Sequence, residues 1–253
     1  MAEADERPAP GTVGRLDRDG LRIAYRWLDG DGPAVVFLPG YASNMSGTKA
    51  VRLAHWCAAR GRAFLSCDYR GHGDSGGRFE DGTLGEWIAD ARAVIETVTA
   101  GRLVLVGSSM GGWIMLRLAM AMPERVAALV GVAAAPDFTV DYAERRLDAA
   151  ERATLARDGI VWRPSRYGDA LPITSRFLAE ASSHLLPAGE IPVRVPVRLL
   201  HGMRDPDVPW QVSLDLAGRL AGDDVELCLV KDGEHRMSRP ADLARLEGLI
   251  ESL

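Results

Sequence analysis

A serine between glycines, in the segment Gly107–Gly111 (GSSMG), is the first chemical signal in this sequence. The run before it, Leu103–Val106, is short, apolar and branched, which predicts a strand buried on both faces. From Met110 the apolar residues recur at helical spacing. A strand that turns directly into a helix forces its central residue into a cramped conformation with an exposed side chain, and flanking glycines leave room for that turn. We therefore predict that Ser109 is a nucleophile at a helix N-terminus.

A serine hydroxyl is nearly inert at neutral pH, so it needs a base within hydrogen-bond reach and an acid that orients the base. After such a turn the partners are expected in the order serine, acid, histidine, each just past the end of a strand. His235 follows the predicted strand Val225–Val230 and is the only histidine after the acid candidates, so we predict that it is the base. Asp205 is the predicted acid. Asp207 is the alternative, although a helix-capping or solvent-facing carboxylate is the plainer interpretation of it.

The other four histidines have simpler interpretations. His201 is interpreted as a structural loop residue, and His72 and His55 as hydrogen-bonded or solvated side chains. His184 could touch substrate, although a surface histidine is the commoner outcome. The glycine-rich stretch Asp68–Gly77 suggests a phosphate loop but lacks the GK[ST] ending, so we interpret it as a structural loop.

Two backbone donors are needed to stabilise the oxyanion of a tetrahedral intermediate. The N–H of the residue after the nucleophile, Met110, is one predicted donor, and the loop Pro39-Gly40-Tyr41 supplies the other. We assign the second donor to the N–H of Tyr41, with Gly40 kept small so that the chain can fold close.

These residues need a scaffold that aligns several loops, and the alternation of strand and helix patterns predicts one. Strands alternating with helices indicate a mostly parallel, twisted sheet of about eight strands with helices on both faces, an α/β fold. The length of 253 residues suits one domain, residues 1–253. The predicted strands are Thr12–Arg15, Leu21–Trp27, Ala34–Leu38, Phe64–Cys67, Leu103–Val106, Val126–Ala134, Val197–Leu200 and Val225–Val230.

The alternation breaks between residues 136 and 196, which we name the cap segment. It contains predicted helices at about Val140–Asp158 and Ile173–Leu186 and no predicted strand. An insertion of this size between two sheet strands is expected to cover the carboxyl edge of the sheet as a small helical cap.

Composition excludes several functions. The net charge of −5 argues against a nucleic-acid surface, and no apolar run is long enough to span a membrane. Cys57, Cys67 and Cys228 lie far apart, as free thiols of a reducing compartment would, and no Cys/His cluster has metal-ligand spacing. The first ten residues, MAEADERPAP, are acidic and lack an apolar core, which speaks against a targeting peptide. The default expectation is a cytoplasmic enzyme without cofactor or metal.

Five stretches of the chain carry a resemblance to a known family: Phe37–Ala50, Val106–Leu116, Arg163–Tyr167 (RPSRY), Arg198–Trp210 (RLLHGMRDPDVPW) and His235–Met237. On these stretches the sequence resembles the α/β-hydrolase superfamily and, more narrowly, the subfamily of the mitochondrial palmitoyl-protein thioesterase, also described as an acyl-glucuronide esterase (α/β-hydrolase domain-containing protein ten). This resemblance implies an α/β-hydrolase fold and cleavage of S-acylated cysteines, esters or acyl glucuronides, with Ser109, Asp205 and His235 as the triad.

The leading hypothesis is therefore an ester or thioester hydrolase that works through an acyl-enzyme, with an S-acylated protein among its candidate substrates. A general carboxylesterase, an acyltransferase or perhydrolase with the same triad, and a ligand-binding protein of the same fold are the alternatives. In the cap segment, Arg163 and Arg166 flank a proline beside Trp162 and could clamp a substrate carboxylate. A solvated pair or a cap-to-body salt bridge is the alternative interpretation of the two arginines.

Overall fold

The computed structural model describes residues 8–166 and 168–253. Residues 1–7 of the amino-terminal stretch and Tyr167 of the RPSRY motif lie outside the described residues. The described residues form these strands: β1 (Thr12–Arg18), β2 (Leu21–Leu28), β3 (Asp31–Leu38), β4 (Arg62–Cys67), β5 (Leu103–Ser108), β6 (Val126–Val132), β7 (Ile160–Arg163), β8 (Leu171–Thr174), β9 (Val197–Gly202) and β10 (Val225–Val230).

The helices alternate with the strands of the main sheet and add three short elements in the cap segment. They are α1 (Thr48–Ala58), α2 (Leu84–Val98), α3 (Met110–Ala121), α4 (Phe138–Asp141), α5 (Ala149–Asp158), α6 (Ser175–Ala181), α7 (Gln211–Arg219) and α8 (Pro240–Glu251). Among the described residues, no helix combines the length and the hydropathy that crossing a membrane requires.

The main sheet has eight strands in the order β1-β2-β4-β3-β5-β6-β9-β10. Strand β2 is antiparallel to both of its neighbours, and the other pairings are parallel. Strands β1 and β2 form a hairpin that turns at Asp19 and Gly20, whose φ angles of 51° and 76° match a two-residue turn with positive φ at both positions. The predicted fold, a mostly parallel sheet of about eight strands, is confirmed.

Alternate residues of the central strand β5 point into two cores on opposite faces of the sheet. Leu103 and Leu105 join the cluster that contains residues of α2 and α3, whereas Val104 and Val106 join the cluster that contains residues of α1 and α8. Trp113 of α3 is fully buried in the first of these clusters. Burial on both faces explains why β5 is apolar along its whole length.

The cap segment contains a β-hairpin, so the prediction of a cap without strands is wrong. Strands β7 and β8 pair antiparallel, with Ile160 opposite Thr174. Their four-residue length is too short for a strong alternating pattern. The predicted helix Ile173–Leu186 starts later, at α6, because the Thr174 side chain accepts a hydrogen bond from the Phe177 N–H and caps the helix there.

The other predicted cap helix, Val140–Asp158, is broken into two. Residues 138–146 form α4 and a π-helical turn, and α5 begins only after Leu147. Asp148 and Glu151 form a capping box at the start of α5, with both reciprocal hydrogen bonds present. This Asp-x-x-Glu signal was available in the sequence and marks the break.

Candidate active site

Ser109 lies at the turn between β5 and α3. Its backbone has φ 53° and ψ −121°, a conformation that a residue with a side chain rarely adopts. The Ser109 N–H donates to the Val132 carbonyl and the Ala135 N–H donates to the Ser109 carbonyl, both at 3.0 Å, which holds the turn in place. The glycine requirement is steric, because a Cβ on Gly107 would lie 2.4 Å from the carbonyl oxygen of Gly111. The turn leaves Ser109 partly exposed at the carboxyl edge.

Loops after two neighbouring strands bring an aspartate and a histidine to Ser109. Asp205 follows β9 and His235 follows β10, and the parallel pairing of these strands places both loops at the edge where the serine lies. His235 Nε2 lies 3.1 Å from Ser109 Oγ, and His235 Nδ1 lies 2.7 Å from Asp205 Oδ2. Both are hydrogen-bond distances. The structure thus brings together the three residues that the sequence analysis selected.

The Asp205 side chain has no exposed surface and accepts four hydrogen bonds. Its Oδ1 accepts from the N–H groups of Asp207 and Val208, each at 2.8 Å. Its Oδ2 accepts from His235 Nδ1 and from His201 Nε2, the latter at 3.1 Å. Burial alone raises the pKa of this carboxyl, but the hydrogen bonds from His201 and His235 outweigh burial and hold the pKa well below its usual range. Asp205 is therefore ionised at neutral pH.

Asp207, the alternative acid, contributes its backbone to this arrangement, since its N–H donates to Asp205 and its carbonyl accepts from Arg146. Within the described ranges, Asp205, Asp207 and His235 are also the one group whose potential metal-ligand atoms lie within 4.8 Å of one another. The hydrogen bond between His235 Nδ1 and Asp205 Oδ2 already uses one potential ligand atom of each residue. We therefore interpret this group as an oriented imidazole and not as a cation site.

The loop after β3 approaches the serine closely. A Cβ on Gly40 would lie 3.2 Å from both the Ser108 carbonyl oxygen and Ser109 Cβ, so the small residue permits the approach. The described part of the chain offers no acceptor to the N–H groups of Tyr41 and Met110. Two free donors next to the nucleophile are what an oxyanion site requires.

A cavity of about 610 Å³ lies over Ser109 and His235, between the sheet edge and the cap segment. This volume falls in the range of small-molecule sites. Apolar side chains that line it include Tyr41, Phe138, Leu171 and Ile173. Cationic side chains that line it are Lys49, Arg146, Arg163, Arg166 and Arg236, against the acidic Asp169 and Asp207.

Of the four residues predicted to bind substrate, the structure places two along the cavity. Arg163 and Arg166 line it, but Trp162 and His184 do not. Trp162 lies on β7 between two more buried neighbours, so the alternation of the strand turns its side chain outward, where it is 52% exposed. His184 instead hydrogen-bonds Glu180 at 2.7 Å. The predicted contact of Trp162 and His184 with substrate stays a prediction, because neither residue lines this cavity.

Arg163 and Arg166 differ in their contacts. Arg163 Nε lies 3.1 Å from Glu151 Oε1, and its guanidinium lies over the Tyr142 ring, so the ion pair is within the cap segment and does not join cap to body. Arg166 is exposed and forms no ion pair with any residue that the structure describes.

Sequence reasoning missed two contacts that shape the site. Lys49, in the first turn of α1, donates from Nζ to the carbonyl of Arg236 at 2.5 Å and so ties α1 to the loop that carries His235. Burial lowers the pKa of Lys49 to about 8. The Tyr41 hydroxyl donates to the Pro172 carbonyl and attaches the oxyanion loop to β8 of the cap. Neither contact has a local sequence signal, since each joins segments far apart in the chain.

Comparison with known proteins shows a match to one family model, described as serine aminopeptidase, S33, over residues 32–184. Among curated proteins, the palmitoyl-protein thioesterase ABHD10, mitochondrial, of Mus musculus is 42% identical over 94% of this chain and 81% of its own length. The Homo sapiens protein of that name is 40% identical over 94% of this chain and 78% of its own length.

Two solved structures are similar over nearly the whole chain. The α/β-hydrolase domain-containing protein 10 from mouse is 40% identical with a TM-score of 0.87, covering 96% of this chain and 98% of that one. A crystal structure of a protein from Agrobacterium vitis S4 is 39% identical with a TM-score of 0.91, covering 97% of this chain and 99% of that one.

The expectation of a cytoplasmic location is wrong, because the relatives that cover most of this chain are named as mitochondrial proteins. The expectation depended on the composition of the first ten residues and on free cysteines. A reducing environment is not confined to one compartment, so free thiols could not decide between compartments.

Proposed function

Because the chain belongs to the hydrolase family described as serine aminopeptidase, S33, we propose that it cleaves acyl thioesters and esters through an acyl-enzyme on Ser109. The observation that carries this proposal is the continuous hydrogen-bonded path from Ser109 Oγ through His235 to the ionised Asp205. Such a path lets an imidazole take the hydroxyl proton while a carboxylate stabilises the resulting imidazolium.

In the acylation step, Ser109 Oγ attacks the carbonyl carbon of the substrate and His235 Nε2 takes the hydroxyl proton. The carbonyl oxygen becomes an oxyanion, which the N–H groups of Tyr41 and Met110 bind. His235 then gives the proton to the leaving sulfur or oxygen as its bond to carbon breaks, and the acyl group stays on Ser109. Each backbone N–H that binds the oxyanion contributes roughly a hundred- to a thousandfold in rate.

In the deacylation step, a water molecule takes the place of the leaving group. His235 takes a proton from the water as its oxygen attacks the acyl carbon, and then returns a proton to Ser109 Oγ as the ester bond breaks. The products are the free acid and the restored serine hydroxyl. Asp205 keeps its charge throughout, because its pKa lies well below neutral.

The cavity lining supports a substrate with an apolar acyl group and a charged leaving group. We propose that the acyl chain packs against Tyr41, Phe138 and the cap strand β8, and that the leaving group lies beside the cationic side chains. Arg166 is the proposed partner of a substrate carboxylate, since Arg163 already pairs with Glu151. S-acylated proteins, by analogy with the palmitoyl-protein thioesterase relatives, and acyl glucuronides are the proposed substrate classes.

The proposal is tested with a panel of p-nitrophenyl esters, acyl thioesters and acyl glucuronides, run with the wild-type protein and with Ser109→Ala. We expect turnover by the wild type and no turnover by the variant, with fluorophosphonate labelling of the wild type alone. A wild-type protein that is neither labelled nor active would favour a ligand-binding protein. Transfer of the acyl group to an added alcohol or to peroxide, in preference to water, would favour an acyltransferase or a perhydrolase.

A further inference from the structure

His201, at the end of β9, is the most completely buried histidine near the proposed triad, with no exposed surface. Its Nε2 lies 3.1 Å from Asp205 Oδ2 and 3.0 Å from the carbonyl oxygen of Val208. Its Nδ1 lies 2.7 Å from the hydroxyl of Ser213 on α7. Both ring nitrogens are therefore engaged, and one of them contacts the carboxylate oxygen that also faces His235.

These contacts decide which nitrogen carries the proton. A carboxylate and a carbonyl can only accept, so Nε2 of His201 must be the donor to Asp205 and Val208. The hydroxyl of Ser213 can donate, and it then pairs with Nδ1 as an acceptor. Asp205 and Val208 thus fix the proton on Nε2 of His201, and Ser213 holds the other side of the ring.

We propose that His201, held by Ser213, is a positioning residue for the reaction. The proposal rests on the function assigned to Ser109, Asp205 and His235 above. The N–H groups of Asp207 and Val208 hold the carboxylate at Oδ1 only. His201 donates to the opposite oxygen, Oδ2, so it resists rotation of the planar carboxylate about the Cβ–Cγ bond, keeps Oδ2 at His235 Nδ1 and keeps the imidazole aligned with Ser109.

His201 lies behind the carboxylate and does not line the cavity, so its effect should appear in kcat and not in KM. A glutamine places its amide N–H near the position of the imidazole Nε2, whereas an asparagine reaches only as far as Nδ1. His201→Asn and His201→Gln are therefore a matched pair that differ in the donor to Asp205. Both lose the ring and both remain polar.

The experiment measures kcat and KM of wild type, His201→Asn, His201→Gln and Ser109→Ala on one p-nitrophenyl ester, with folding followed by circular dichroism. We expect His201→Asn to lose about 10- to 100-fold in kcat, the range for one hydrogen bond to a charged group, with KM within about twofold of wild type. His201→Gln should recover most of that loss.

Equal losses of kcat in both folded variants would overturn the proposal, and so would a wild-type kcat in His201→Asn. If His201→Asn does not fold, Ser213→Ala replaces it, and an unchanged kcat in that variant would overturn the proposal while a several-fold loss would support it. A wild type without Ser109-dependent turnover would instead show that the proposed function is wrong.

Discussion

Replacing Gly111 with alanine should damage both stability and activity, although alanine is the better helix former. A Cβ at this position of α3 would lie 2.0 Å from the carbonyl oxygen of Leu38 and 2.6 Å from that of Pro39. An ordinary carbon–oxygen contact is about 3.4 Å, so the loop after β3 has to move by roughly 1 Å. The overlap should cost about 3 kcal/mol, and helix propensity returns about 1 kcal/mol, which leaves a net loss of about 2 kcal/mol.

The same displacement moves the N–H of Tyr41, two residues beyond Pro39, away from its proposed oxyanion position. A misplacement of about 1 Å typically costs a hundredfold in rate, so kcat should fall by roughly that factor. Urea unfolding gives the stability and turnover of a p-nitrophenyl ester gives kcat. Gly248→Ala is the matched control, because a Cβ there meets nothing within 4 Å and alanine should stabilise α8 slightly. A Gly111→Ala protein as stable and active as this control would refute the steric argument.

Two further predictions concern pH dependence and substrate charge. His72 is buried, no residue that the structure describes pairs with its Nε2, and burial lowers its pKa from 6.5 to about 4. Below pH 6.5 the unfolded chain therefore takes up a proton that the folded chain does not. The titration of His72 should therefore lower the free energy of unfolding by about 3 kcal/mol between pH 7 and pH 4. Asparagine can still donate to the Arg70 carbonyl but does not titrate, so in His72→Asn the free energy of unfolding, measured with urea, should fall by about 3 kcal/mol less over the same pH range. Arg166→Ala should raise KM for an acyl glucuronide about three- to tenfold and leave KM for a neutral p-nitrophenyl ester unchanged. An unchanged glucuronide KM in the double variant Arg163→Ala/Arg166→Ala would exclude the clamp.

Features that depend on local chain geometry could be predicted from the sequence. The turn at Ser109 needs glycine at position 107 because the backbone of the following helix passes close to it, and that constraint is visible in a few consecutive residues. The order of strand and helix patterns also predicts that Asp205 and His235 come after neighbouring strands. Parallel pairing then brings their loops to one edge, so the candidate triad could be chosen before any coordinates.

Features that depend on contacts between distant segments could not be predicted. His201 was interpreted as a loop residue because nothing near it in sequence indicates that Ser213 of α7 and the Asp205 carboxylate meet on either side of its ring. The cap hairpin was missed because its strands are short. Trp162 and His184 were predicted to touch substrate from their position in the cap segment, whereas strand alternation turns Trp162 outward and His184 hydrogen-bonds Glu180.

The amino-acid sequence by itself determined the α/β architecture, the family and the identity of the candidate nucleophile, acid and base. Hydrophobic periodicity and glycine spacing are local properties, so they can be read from the sequence without knowledge of the folded chain. Only the tertiary structure decided how the Asp205 carboxylate is held, which cationic side chains reach the cavity and how Tyr41 joins the catalytic loop to the cap. Those outcomes depend on the direction of each side chain and on packing between separate segments of the chain, and the whole fold sets both at once.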